Sequence, residues 1–382
     1  MAAVCALALL DDTAKLTNND YIGWTIGESN TPFYNGQYLA DAEDIIVVTL
    51  NYRVNIFGFP GAPEGPKNIG LLDQRLAVEW VRHNIRAFGG DPNRIVIMGQ
   101  SASAAAVDFW SYAYTQDPIV TGLISHSGNA FSFPTNSEEL AARHWFNASA
   151  TLGCGSIGDL MACMRSKPFP EILAAAAAVR PPAAASPARA QAAFQATVDN
   201  QLVFAPETYA HLSSSGKFAR LPYLAGNTDN EAGYYRVTAF GQNVTLSNAA
   251  WNVFNLEAFT CPHTYEANNR AKYGVPTWLF RYFGDFDNLR LYPNSSAYHG
   301  SDLHMVFGGS EDVSGLPDSP AERETRALVM RAWATFVRNP REGLRTELGW
   351  PEYNREGTLL SLQFSSPAIY SVNASFAAIA SL

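Results

Sequence analysis

Apolar positions along the chain recur with two different spacings, and the two alternate. Ile45 to Leu50 (IIVVTL) form a continuous β-branched run, the pattern of a strand buried on both faces in a parallel sheet. Leu72, Leu76 and Trp80 then recur at intervals of four, with Ala77 and Val81 beside them, which predicts a helix whose pattern stops at Gly89-Gly90. Arg94 to Met98 (RIVIM) reads as a second buried strand and Ala104 to Tyr112 as a second helix. Strand, helix, strand and helix in turn predict an α/β fold, a mostly parallel central sheet flanked by helices. Further strands are expected at Gly122 to Ser125, Leu221 to Gly226 and Trp278 to Tyr282. The last long helix starts at Ser319-Pro320, an N-cap followed by proline at the first helical position, and runs toward Arg338 with Val329, Trp333, Phe336 and Val337 on one face. Residues 171–193 are rich in alanine and hold Pro181, Pro182 and Pro187, so they are expected on the surface rather than in the sheet.

Composition narrows the class. Of 382 residues, 47% are hydrophobic and 16% charged, enough apolar material for a large core. The expected organisation is an atypical N-terminal segment, 1–24, followed by one large catalytic domain, 25–382. Lys and Arg number 26 against 35 Asp and Glu, a net charge of −9. No basic cluster marks a face that could neutralise phosphates, which argues against a nucleic acid partner. No apolar run reaches the ~20 residues that span a bilayer. The first ten residues, MAAVCALALL, lack a positive start and end in Asp11 and Asp12 rather than at a small-residue cleavage site, a poor match to a secretory leader. Sequons at Asn147, Asn243, Asn294 and Asn373 nevertheless favour the secretory route, with glycosylation at these sites and a secreted product. Cys154 and Cys163 flank a short Gly-containing segment that suits a small disulfide loop better than a metal site, since no further ligands lie nearby. Cys5 and Cys261 are left to pair with each other or to stand as buried free thiols, Cys261 having then lost its mate.

The strongest chemical signal lies in RIVIMGQSASAAAVDFW, residues 94–110, where a strand meets a helix through Gly99-Gln100-Ser101-Ala102-Ser103. A nucleophile elbow requires that context: the serine sits in a strained turn that exposes its hydroxyl, and small residues two positions away on either side let helix pack on strand. Ser103 replaces the second glycine of G-x-S-x-G, so its Cβ is expected to crowd the turn. The alternative is a serine that only N-caps the helix.

NYRVNIFGFP at 51–60, NIGLLDQRLAVEWVRHNI at 68–85 and FGGDPNRIVIMGQSA at 88–102 resemble carboxylesterase type B sequences, a family that includes cholinesterases and many fungal esterases. The resemblance resumes in LISHSGNAFSF at 123–133, the Cys154 to Cys163 loop, GNTDNEAGYY at 226–235 and AYHGSDLHMVFG at 297–308. It implies an α/β-hydrolase fold with Ser101 as nucleophile, His299 as general base and Glu231 as the acid of the triad, in the chain order usual for that fold. It also implies small-molecule or lipid carboxylic esters as substrates and no metal or organic cofactor. Asp229 competes with Glu231, which motif position favours, and Asp302 is expected to be a buried carboxylate near the base. The interval between Glu231 and His299 is short for the family, so a helical insertion is expected to be missing there. The family's oxyanion hole uses glycine amides of a G-G-G-F loop beside the amide that follows the serine. Here the matching segment is Tyr21-Ile22-Gly23-Trp24-Thr25-Ile26-Gly27, which leaves the amides of Gly23 and Ala102, with Ile22 as a further option. The family's first strands have no counterpart, which implies a chain shortened at its N-terminus. Losing one such donor typically costs ~10²- to 10³-fold in turnover, so reduced activity is expected.

Two function classes follow. The first is a serine esterase working through an acyl-enzyme. The second is a catalytically impaired, cholinesterase-like interaction protein; retention of serine, histidine and glutamate together favours the enzyme. Gln100 stands where cholinesterases carry an acidic residue, and no aromatic motif matches their choline site, which argues against a cholinesterase. Clustered metal ligands are lacking, which disfavours a metallohydrolase. Acyl and alcohol preference and oligomeric state are not legible.

Overall fold

The structure, a computed structural model, describes residues 3–9, 23–182, 191–354, 358–362 and 368–371, with the side chains of 3–9 and 368–371 left aside. Its strands are β1 (Ala3–Leu9), β2 (Ile45–Leu50), β3 (Gly90–Gln100), β4 (Gly122–His126), β5 (Tyr223–Thr228), β6 (Thr277–Tyr282), β7 (Thr358–Leu362) and β8 (Ala368–Ser371). They form one sheet in the order β2-β1-β3-β4-β5-β6-β7-β8, parallel throughout except for the β7–β8 pair. The helices that matter below are α1 (Ile69–Asn84), α2 (Ala102–Ala113), α3 (Glu138–Thr151), α4 (Ala232–Gly241), α5 (Cys261–Lys272), α6 (Leu303–Phe307) and α7 (Pro320–Arg338).

Alternation along each strand feeds two cores, one on each face. Val96, Met98, Ile124, Leu224, Trp278 and Phe280 point to one side and meet Val329, Trp333, Phe336 and Val337 of α7. Ile95, Ile97, Leu123, Tyr223 and Leu279 point to the other and meet Val78 and Val81 of α1 with Val107 and Trp110 of α2. Helix α7 starts as expected, with Pro320 at its start and a reciprocal capping box between Ser319 and Glu322.

Between α2 and α5 lies a fully buried ionic cluster. The Arg270 guanidinium donates through Nη2 to Asp108 Oδ1 (2.6 Å) and Ser111 Oγ (2.9 Å), and its Nε stands 2.9 Å from Glu266 Oε1. Asp108 also accepts from the Ala130 amide, and Glu266 from the hydroxyls of Tyr112 and Ser213. The cation lies over the Tyr223 ring, 4.3 Å from its centroid. Burial first, then the neighbouring Glu266, pushes the Asp108 carboxyl up to about 7.

The apolar start of the chain contains β1, which pairs with β2 on one side and β3 on the other. Other expectations need correction. Ile45–Leu50 is a strand, but at the sheet edge: only Ile45 is fully buried, because no neighbour covers its outer side among the described residues. Leu72, Leu76 and Trp80 mark the outward face of α1, not its inward one, and are 41%, 65% and 51% exposed. The buried face carries Leu71, Gln74, Val78 and Val81. The described part of 171–193 lies outside the sheet, as expected, though the helix over Phe169–Ala178 buries Ala175 and Ala176 against Trp145, Met164 and Phe194; residues 183–190 lie outside the described residues.

Candidate active site

The carboxyl ends of β3, β4 and β5 and the turn before α6 converge on one point, the usual place for a site in an open α/β sheet. Ser101 joins β3 to α2 with φ 58° and ψ −122°, a backbone region that costs a non-glycine residue of order 1–3 kcal/mol. The turn is overdetermined by its neighbours. The Ser101 amide donates to the His126 carbonyl at 2.8 Å, and a Cβ at Gly99 would stand 2.2 Å from the Ser103 carbonyl oxygen, so only glycine fits there. Ser103 does not disrupt the turn; it is buried and its hydroxyl lies 3.0 Å from that of Tyr52. Ser101 does not cap α2 with its side chain, and the Ala102 amide, the first of the helix, has no intrahelical acceptor.

His299 is buried beside this elbow. Its Nδ1 lies 2.5 Å from Glu231 Oε2, while Glu231 Oε1 accepts from Ser127 Oγ at 2.6 Å and from the Thr228 amide at 2.7 Å. A carboxylate only accepts, so Nδ1 carries the proton and Nε2 the lone pair. Asp229, the competing acid, faces Arg281 at 3.1 Å and is 42% exposed at its side chain. Rings of Tyr235 and Phe259, both centred 5.2 Å from the imidazole, and of Tyr234 wall it in. Nε2 stands 3.0 Å from the carboxamide nitrogen of Gln100. Ser101 Oγ has no hydrogen-bond partner among the described residues.

The model of the carboxylesterase family matches residues 23–257 and 238–374. The chain belongs to the carboxylesterase family. The two matched stretches meet between Glu231 and His299, the interval that is short for the family. A secreted lipase 5 of Gibberella zeae is 34% identical over 86% of this chain and 63% of its own length. A chlorogenic acid esterase of Aspergillus niger is 34% identical over 83% of the chain and 60% of its own. An acetylcholinesterase of Bungarus fasciatus is 29% identical over 87% and 62%. The chain therefore spans about three-fifths of the length of these relatives.

Sequence reading missed a second buried histidine–carboxylate pair beside this candidate site. His126 Nδ1 donates to Asp302 Oδ2 at 2.6 Å, and the Trp333 indole donates to His126 Nε2 at 2.8 Å. Asp302 stands at the N-cap position of α6, three residues after His299, so this pair ties the turn that carries His299 to the residue whose carbonyl holds the Ser101 amide. Asp302 is buried, as expected. His263 accepts the Gly128 amide and is pushed down to about 3 by burial and by His126; burial pushes His304 down to about 4. His144 bonds the Ala193 carbonyl, and His83 and His211 are exposed.

Gly23 is half-buried in a turn, and Trp24 beside it packs in one cluster with Ala102, Ala105 and Phe109 of α2, so this segment lies against the start of the elbow helix. Ile22 lies outside the described residues. Cys154 and Cys163 form a disulfide with Cα atoms 5.7 Å apart. Cys261 is a free, half-buried thiol, which removes its pairing with Cys5. Asn147 on α3, Asn243 and Asn294 are exposed; Asn373 lies outside the described residues. No helix among the described residues is long and apolar enough to cross a membrane.

Proposed function

We propose that this chain hydrolyses carboxylic esters through an acyl-enzyme on Ser101. Ser101 Oγ attacks the ester carbonyl carbon as its proton passes to His299 Nε2. The alkoxide then leaves with that proton, and water repeats the sequence to release the acid. Glu231 holds the ring in the Nδ1–H tautomer and stabilises the imidazolium. The oxyanion would be met by the Ala102 and Gly23 amides. The reading rests above all on one observation: Ser101 in a forced positive-φ turn beside a buried imidazole already paired with a fully hydrogen-bonded carboxylate. Two similar proteins carry esterase or lipase names, and one is named as secreted. With the exposed sequons at Asn147, Asn243 and Asn294, this supports a secreted glycoprotein.

Turnover of short-chain aryl esters is expected to be slow, ~10²-fold or more below that of a full glycine loop, because a triad without all its oxyanion donors retains only part of its effect. Treatment with a fluorophosphonate and peptide mapping should place the label on Ser101, and Ser101→Ala should remove both label and hydrolysis. Activity surviving Ser101→Ala would place the chemistry elsewhere. The second reading, an impaired interaction protein, is favoured by the unbonded Ser101 hydroxyl and would be supported by an unlabelled chain.

Ser127→Ala removes a neutral donor from the Glu231 carboxylate while leaving two others. It should lower kcat about tenfold with KM little changed, the cost of roughly 1.5 kcal/mol for one hydrogen bond to a charged group. Unchanged kcat would mean that Glu231 needs no third donor.

A further inference from the structure

Gln100 is the last residue of β3 and 4% exposed, and its carboxamide reaches over the base rather than into the core. Its Nε2 lies 3.0 Å from His299 Nε2. Two nitrogens at that distance need one donor and one lone pair. Glu231 on Nδ1 already fixes the ring proton there, so the lone pair is on His299 and the Gln100 amide is the donor. The opposite amide orientation would set a carbonyl oxygen against that lone pair and is stable only once the ring is protonated. Gly300, with φ +82°, lies against the same carboxamide: a Cβ there would meet Gln100 Nε2 at 3.4 Å, an ordinary contact distance. The same lone pair is the one that must take the Ser101 proton, and Ser101 Oγ is unbonded among the described residues.

We infer that Gln100 is a positioning residue that masks the general base in the resting site, so that ester binding must displace its amide before Ser101 can be activated. The inference rests on the Ser101 reading above. In the masked state the Gln100 N–H occupies His299 Nε2. When Ser101 displaces it and gives up its proton, a half-turn of the carboxamide presents Oε1 to the new N–H, so one neutral side chain can serve both protonation states. A carboxylate at the same place could serve only the protonated ring.

Two variants separate these roles. Gln100→Met keeps the volume and deletes the donor. The fluorophosphonate labelling rate and kcat should rise about three- to tenfold, the worth of one neutral hydrogen bond, with KM nearly constant. The His299 Nε2 resonance in ¹⁵N spectra should move toward that of an unbonded imidazole nitrogen. Gln100→Glu deletes the donor and adds charge, so the acid limb of the kcat/KM profile and the His299 ring titration should both move to higher pH. The titratable groups around the ring, Glu231 on Nδ1, Tyr234 and Tyr235 on α4, and Tyr298 and Asp302 in its own turn, are unaltered in both variants. An unmoved Nε2 resonance in Gln100→Met, or labelling that slows, would overturn the inference even if the chain is active. A moved resonance in a chain that is never labelled at Ser101 would sink the esterase reading and leave the Gln100 contact standing.

Discussion

Arg270→Met is expected to destabilise the folded chain by about 3–5 kcal/mol in urea denaturation, the usual cost of removing one partner from a buried ionic group. The physical reason is what the substitution leaves behind. Asp108 and Glu266 are both fully buried, and the guanidinium between them is the cation that offsets their desolvation. Methionine fills much of the volume and keeps contact with Tyr223 and Phe218, so cavity formation contributes little. The loss should depend on pH. Asp108 titrates at about 7 in the folded chain, above its ordinary value of 3.8, so its contribution to stability is present in acid and is lost as pH rises toward 7. Once the cation is gone, Asp108 can shed its charge only by binding a proton, which costs more free energy at pH 8 than at pH 5. The variant should accordingly lose less stability at pH 5. A loss below about 1 kcal/mol at pH 8 would show that the cluster does not need its cation.

Glu231→Gln should cut kcat by ~10³- to 10⁴-fold while leaving the fold intact. The carboxylate now accepts three hydrogen bonds, from His299, Ser127 and Thr228. A glutamine can keep the Thr228 and Ser127 contacts only by presenting its oxygen to them, which turns its NH₂ toward His299 Nδ1. That arrangement selects the Nε2–H tautomer, in which Nε2 already carries a proton and cannot accept the one from Ser101. Melting temperature within a few degrees of the unmodified chain, together with the collapse in kcat, separates this from unfolding. A loss under tenfold would place the acid elsewhere.

Local patterns carried most of what could be read beforehand, and distance decided what could not. The elbow was legible because strand, glycine, serine and helix lie within a few residues, and the capping box of α7 for the same reason. The face of α1 was misread because an interval of four fits two arcs of one helix: Leu72, Leu76 and Trp80 lie on one, while the buried arc includes the polar Gln74. The start of the chain was ambiguous because AVCALAL is equally short and apolar as strand or leader. The contacts His126–Asp302–Trp333 and Gln100–His299 join residues 176 to 207 apart and have no sequence signature. Motif position ranked Glu231 above Asp229, and only the surrounding bonds give that ranking a geometric basis.

Strand β1 is made before both of its neighbours and can be completed late. Ala3–Leu9 finds one neighbour in Ile45–Leu50 and the other in residues 90–99, so as the chain leaves the ribosome this apolar segment must wait for nearly a hundred more residues. At ~5–20 residues per second that is about five to twenty seconds before the second of its backbone edges can be paired. During that interval AVCALAL offers an extended, uncharged surface of the kind that holding chaperones bind and that neighbouring nascent chains can capture. Slowed synthesis upstream of residue 90 should therefore lower the yield of folded protein more than an equal pause after residue 100.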